Sequence, residues 1–277
     1  MSDFPRTTVG GVSLSRLIIG TNWFLGWSHT SAAKDKFIKS YQTRQNLADI
    51  ITVFLESGVD AIMGMPVPLL RDAIQDAQDR TGRELKLILT PHFNIVPGGP
   101  PEMEPERVFD DCRKMGATFC FPHQCMTDRL MDRMHEEIRD IDTYTAMIRE
   151  RGMIPGLSTH MPESIAIADK TGIDVETYIQ LYNAAGFLMQ VEADWVMRII
   201  RNAKKPVMTI KPLAAGRLLP PVGLAFVWNT IRECDMVTIG TTTPDEAREV
   251  IDLSLDFLAK RIPENELQKT RSKNTLL

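Results

Sequence analysis

A chain of 277 residues, 43% of them hydrophobic and 25% charged, has the make-up of a globular protein with room for one large core. A formal charge of −4 leaves no basic footprint, which argues against nucleic acid as a partner. No apolar run reaches the ~18 residues of a membrane span, and MSDFPRTTVGG lacks the hydrophobic stretch of a signal peptide, so a cytoplasmic protein with no membrane partner is expected.

The chain opens on TTVGGVSLSRL, where Gly10 and Gly11 separate two β-rich pieces and predict a hairpin. Eight short apolar runs follow, at residues 16–20, 59–64, 85–90, 117–121, 153–158, 177–182, 206–211 and 236–240. Most are succeeded by an amphipathic segment. NLADIITVFLESG ends at Gly58 and MPESIAIADKTG at Gly172, with Pro162 in its expected first turn. Strands recurring at these intervals, each trailed by a helix, are the signature of βα units and a parallel sheet. Eight of them with no linker predict an α/β fold: one (β/α)8 TIM barrel over residues 1–277, its bottom capped by the hairpin.

Chemistry on such barrels gathers where the strands end at their C-termini. Three of the five histidines, His92, His123 and His160, end consecutive strands, and neighbouring strands lie about 4.8 Å apart. Imidazoles converging there suit a divalent metal, with Cys125 as an additional soft ligand, or proton exchange near neutral pH. Each also has a purely structural use, bonding a backbone carbonyl at a turn. His29 reads as a loop residue and His135 as a surface helix residue. Strand 7 ends in KPLAAGRL and strand 8 in IGTTTPDEA. Lys211, Arg217 and the Thr241, Thr242 and Thr243 run at a helix start therefore form a candidate phosphate site, with helix capping as the alternative. Trp23, Phe24 and Trp27 offer a stacking wall for a substrate, or lid packing.

GVSLSRLIIGTNWF, MIPGLSTHMPESI with YIQLYN, VMTIKPLAAGRL and VTIGTTTPDEAREVI together resemble the aldo-keto reductases over nearly the whole chain. The resemblance implies an aldo-keto-reductase-like barrel and NADP(H)-dependent carbonyl reduction, with Ser158, Gln180, Lys211, Arg217 and residues 241–243 toward the cofactor. The family's Asp-Tyr-Lys-His set does not carry over. Met63 stands where the aspartate belongs, no tyrosine follows it, and strand 3 ends in Pro91–His92. Only His123 matches.

Three functions are open on these grounds. The first is a small-molecule enzyme in which His92, His123 and His160 act through a metal or as acid and base, giving hydrolase, lyase or isomerase chemistry. The second is an NADP(H)-dependent oxidoreductase with His92 or His123 as an unusual proton donor. The third is a non-catalytic binding barrel, which a crowded mouth without accessible histidines would favour.

Overall fold

A computed structural model of the chain describes residues 4–94 and 101–263. Barrel strands β1 (Leu17–Gly20), β2 (Ala61–Gly64), β3 (Lys86–Leu89), β4 (Ala117–Cys120), β5, β6 (Tyr178–Leu181), β7 (Val207–Ile210) and β8 (Met236–Ile239) run parallel around one axis. Strand β5 comes in two pieces. Ile154–Pro155 pairs with β4 and Leu157–Thr159 with β6, so the break at Gly156 is where the barrel closes. A Cβ on Gly156 would sit 2.5 Å from Cε1 of Phe121, so only glycine lets the two strands meet over that ring.

The strands are short continuous apolar runs because both faces are buried. In β1, Leu17 and Ile19 face the helices while Ile18 faces inward. Ile18 packs inside the barrel with Ile88, Phe119, Ile179, Met208 and Met236. The helix Arg44–Glu56 buries Leu47, Ile50, Ile51 and Phe54, the i, i+3, i+4, i+7 stripe of a helix laid on a sheet.

The hairpin forms as its glycines predict. Arg6–Val9 pairs with Val12–Ser15 around Gly10 and Gly11, at φ 54° and 82°, the left-handed values a two-residue turn requires. Its Val9 and Leu14 join the inner core at the strands' N-terminal end, closing the barrel bottom. That leaves the opposite end for ligands. Two local expectations are corrected. Pro162 is the residue before the helix Glu163–Thr171 rather than inside its first turn. His135 lies in a turn between Met131–Asp132 and Glu137–Ile138, because Asp132 gathers its backbone N–H and ring, which holds a turn instead of a helix. Among the described residues no helix is long and apolar enough to cross a membrane.

Candidate active site

A cavity of about 420 Å³ opens at the C-terminal mouth of the barrel. Its floor carries Met63, Thr90, Ser158 and Ile179 from the strand ends. Its walls carry Trp23 and Trp27 after β1, Lys211 after β7, and Thr241 and Glu246 after β8. The mouth is neither crowded nor without histidine: His29, His123 and His160 all line it.

The three strand-end histidines do not form one cluster. His92 is exposed and outside the cavity lining, with its ring centroid 6.3 Å from that of His123. Among the described residues no three His, Cys, Asp or Glu side chains come together as metal ligands, so the metal expectation for His92, His123, His160 and Cys125 finds no ligand set. From the end of β3 it is Thr90 that lines the mouth, and His92 does not.

His123 is held as one tautomer. Its Nδ1 accepts from the Cys125 backbone N–H at 3.3 Å and lies 3.2 Å from the Cys125 thiol, so Nε2 carries the proton. Burial, then the charges near His92 and Lys211, pull its pKa down to about 4. Burial and Lys211 do the same to His160, also to about 4. Both rings are therefore neutral at physiological pH. Imidazoles so far from neutrality are poor acid–base catalysts, which removes the support for histidine-driven hydrolase, lyase or isomerase chemistry. Below His160, its backbone N–H and the Thr159 hydroxyl both donate to Asp128, a carboxylate that burial raises to about 6.

Lys211 is the cavity's cation. Burial lowers its pKa to about 8, and among the described residues its ammonium has one hydrogen-bond contact, His29 Nε2 at 3.3 Å. His29 was legible only as a loop residue. Its position depends on a left-handed backbone at φ 58°, which nothing in the local sequence announces.

The helix Pro244–Leu258 starts as its threonines predict, but its end is already satisfied. Thr243 Oγ1 caps the Glu246 N–H, and Glu246 Oε2 accepts from both the N–H and the hydroxyl of Thr242, at 2.6 and 2.8 Å. Glu246 and Glu249 both line the cavity there. Arg217 turns away from this end, its guanidinium 3.9 Å over the Phe187 ring and donating to the Ala214 carbonyl. Of the aromatic wall, Trp23 and Trp27 line the cavity, Trp27 exposed, whereas Phe24 is 1% exposed in the outer core.

Several buried polar atoms have no partner among the described residues, including the hydroxyls of Thr21, Thr238 and Thr241 and Oε1 of Gln180. The first three belong to cavity-lining residues, and Gln180 follows the lining residue Ile179.

No family model and no curated protein matches the sequence. Solved structures do match. One from Pseudomonas aeruginosa described as an aldo-keto reductase superposes with a TM-score of 0.64 at 14% identity, over 93% of this chain and 99% of that one. The glycerol dehydrogenase of Gluconobacter oxydans gives 0.56 at 14%, over 96% and 98%. The holo form of an aldo-keto reductase from Bacillus halodurans gives 0.57 at 11%, over 93% and 96%. The fold is that of an aldo-keto reductase. On this aldo-keto reductase fold, Met63 and Thr90 occupy the mouth at the ends of β2 and β3, and among the described residues no tyrosine lines the cavity.

Proposed function

We propose that the chain is an oxidoreductase that binds a nicotinamide dinucleotide in the barrel mouth and interconverts a small carbonyl compound and its alcohol. The observation that carries this reading is the set of unpartnered buried hydroxyls on cavity-lining residues, Thr21, Thr238 and Thr241. Leaving such groups unpaired costs about 1–3 kcal/mol each, which a ligand rich in amide and hydroxyl groups recovers. A nicotinamide dinucleotide is such a ligand. Ser158 and Gln180 would hold its carboxamide, and Thr21, Thr238 and Thr241 its sugar hydroxyls.

When bound, the nicotinamide supplies or accepts the hydride. The protein's part is to exclude water, place the substrate oxygen and manage a proton. His123, fixed with its proton on Nε2, is suited to donate a hydrogen bond to the carbonyl oxygen as a neutral imidazole. Met63 and Trp23 give the substrate an apolar surround, so small and partly apolar carbonyls fit best. The cofactor implied by the resemblance is NADP(H). The carboxylates of Glu246 and Glu249 at the helix end favour the form without the extra phosphate.

Titration of the purified protein with NADH and NADPH, followed by quenching of tryptophan fluorescence, tests the reading. Saturable micromolar binding of either, weakened in Gln180→Leu, is the expected result. No binding of either at millimolar concentration refutes it.

A further inference from the structure

We propose that Lys211 is the proton donor to the substrate oxygen and that His29 is the positioning residue that aims it. The inference rests on the oxidoreductase reading, because it names the acid that such a reaction needs.

The aldo-keto reductase resemblance supplies no tyrosine here, and among the described residues none lines the cavity. An alkoxide formed in a water-poor site without an acid is strongly disfavoured, so another donor has to face it. His123 and His160 are neutral rings, and a neutral imidazole does not release a proton readily. Lys211 is the remaining donor. Its side chain is half-buried in the cavity wall, and no carboxylate accepts from it among the described residues. The other charged or titratable residues lining the cavity are His29 after β1, His123 after β4, His160 after β5, and Glu246 and Glu249 on the helix after β8. Burial places it at about 8, so it is protonated at neutral pH yet gives up its proton far more easily than an exposed lysine.

The geometry of His29 gives it a defined part. Its Nδ1–H donates to the Trp27 carbonyl at 2.9 Å, so Nε2 presents a lone pair, and that lone pair faces Lys211 Nζ at 3.3 Å. One ammonium N–H is thereby fixed, which restricts the directions of the other two. Both residues hold left-handed backbones, His29 at φ 58° and Lys211 at φ 60°, a conformation that costs side-chain-bearing residues energy and gathers at functional sites. Both residues that meet carry this strain, as do Ala214 and Ala215 just after Lys211.

The step balances simply. Hydride reaches the carbonyl carbon, the π pair moves to oxygen, and a new O–H bond forms as one N–H bond of Lys211 breaks, leaving a neutral amine. Solvent at the rim, where His29 is exposed, restores the ammonium. Alcohol oxidation runs the same transfer backwards, with the neutral amine as base.

Two readouts test this. The first is NMR titration of the lysine Nζ groups in ¹⁵N-labelled full-length protein, with Lys211 assigned by its loss in Lys211→Arg. A midpoint near 8 that moves down in His29→Phe and returns in His29→Gln, which keeps an acceptor, is expected. The second is turnover of a panel of small aldehydes and ketones alongside dinucleotide affinity. Lys211→Met should lose about 100-fold or more in kcat with little change in dinucleotide affinity. His29→Phe should lose kcat with KM unchanged, and His29→Gln should recover it. A Lys211 that titrates like an exposed lysine, or a Lys211→Met enzyme within threefold of wild type, overturns the proposal and leaves the oxidoreductase reading standing. Dinucleotide binding without turnover on any carbonyl of the panel also overturns it. A wild type that binds no dinucleotide refutes the oxidoreductase reading, and the proton-donor role falls with it.

Discussion

His29 and Lys211 stand 182 positions apart in the chain, each with φ near +60°, and meet at 3.3 Å in the barrel mouth. A half-buried lysine that no carboxylate among the described residues accepts from is a poor choice for stability. Its folded pKa of about 8 lies below the ~10.4 of an unfolded lysine, so the unfolded state binds more protons between those values. The cost is complete below pH 8 and is relieved as pH rises toward 10.4. Lys211→Met, close in shape and uncharged, should therefore be more stable than wild type by about 1–3 kcal/mol at pH 7, with the gap closing by pH 10. Denaturant unfolding at the two pH values measures it; a Lys211→Met variant less stable than wild type at pH 7 is the contrary outcome.

Acid should weaken the site through its two half-buried imidazoles. His123 and His160 have folded pKa values of about 4, below the ~6.5 of the unfolded chain. Stability is thus full above pH 6.5 and is lost as pH falls toward 4, on the order of 2 kcal/mol for each ring. Asp128 works in the opposite sense. With a folded pKa of about 6, raised by burial, its cost is present above pH 6 and disappears as pH falls toward its unfolded value near 3.9. Asp128→Asn should therefore gain stability at pH 8 and lose it more steeply than wild type between pH 6.5 and 4. Thermal melts across that range read the slopes.

Closure of the barrel rests on Gly156. Adding a methyl group there meets the fully buried Phe121 ring at 2.5 Å, so Gly156→Ala should cost about 1–3 kcal/mol. Phe121→Leu makes room for that methyl. The double variant should lose less than the sum of the two single losses, and simple additivity would show that the two side chains do not compete for the space.

Selection between dinucleotides should turn on Glu246. Its carboxylate already occupies the Thr242 N–H at the helix start and would repel an added phosphate. Glu246→Gln keeps an acceptor and removes the charge. A shift of about 1 kcal/mol, roughly fivefold, toward the phosphorylated dinucleotide is expected. Fluorescence titration of both forms measures the ratio, and an unchanged ratio would place the phosphate elsewhere.

The sequence by itself determined the barrel, its hairpin and the strand ends that form the mouth. Apolar runs such as LIIG and VMTI buried on both faces, the Gly10–Gly11 turn and the Thr243 cap are encoded within a few neighbouring residues, so they are legible without knowledge of distant partners. His123, His160 and Ser158 were placed at the mouth for the same reason. Tertiary structure decided which side chains share the cavity. It left His92 exposed outside the cavity lining and buried Phe24 in the outer core. It gave the Thr242 donors to Glu246 and turned Arg217 onto Phe187. It also brought His29 across to Lys211. Those outcomes depend on left-handed loop residues and on competition among donors far apart in the chain, and neither leaves a periodic signal in the sequence.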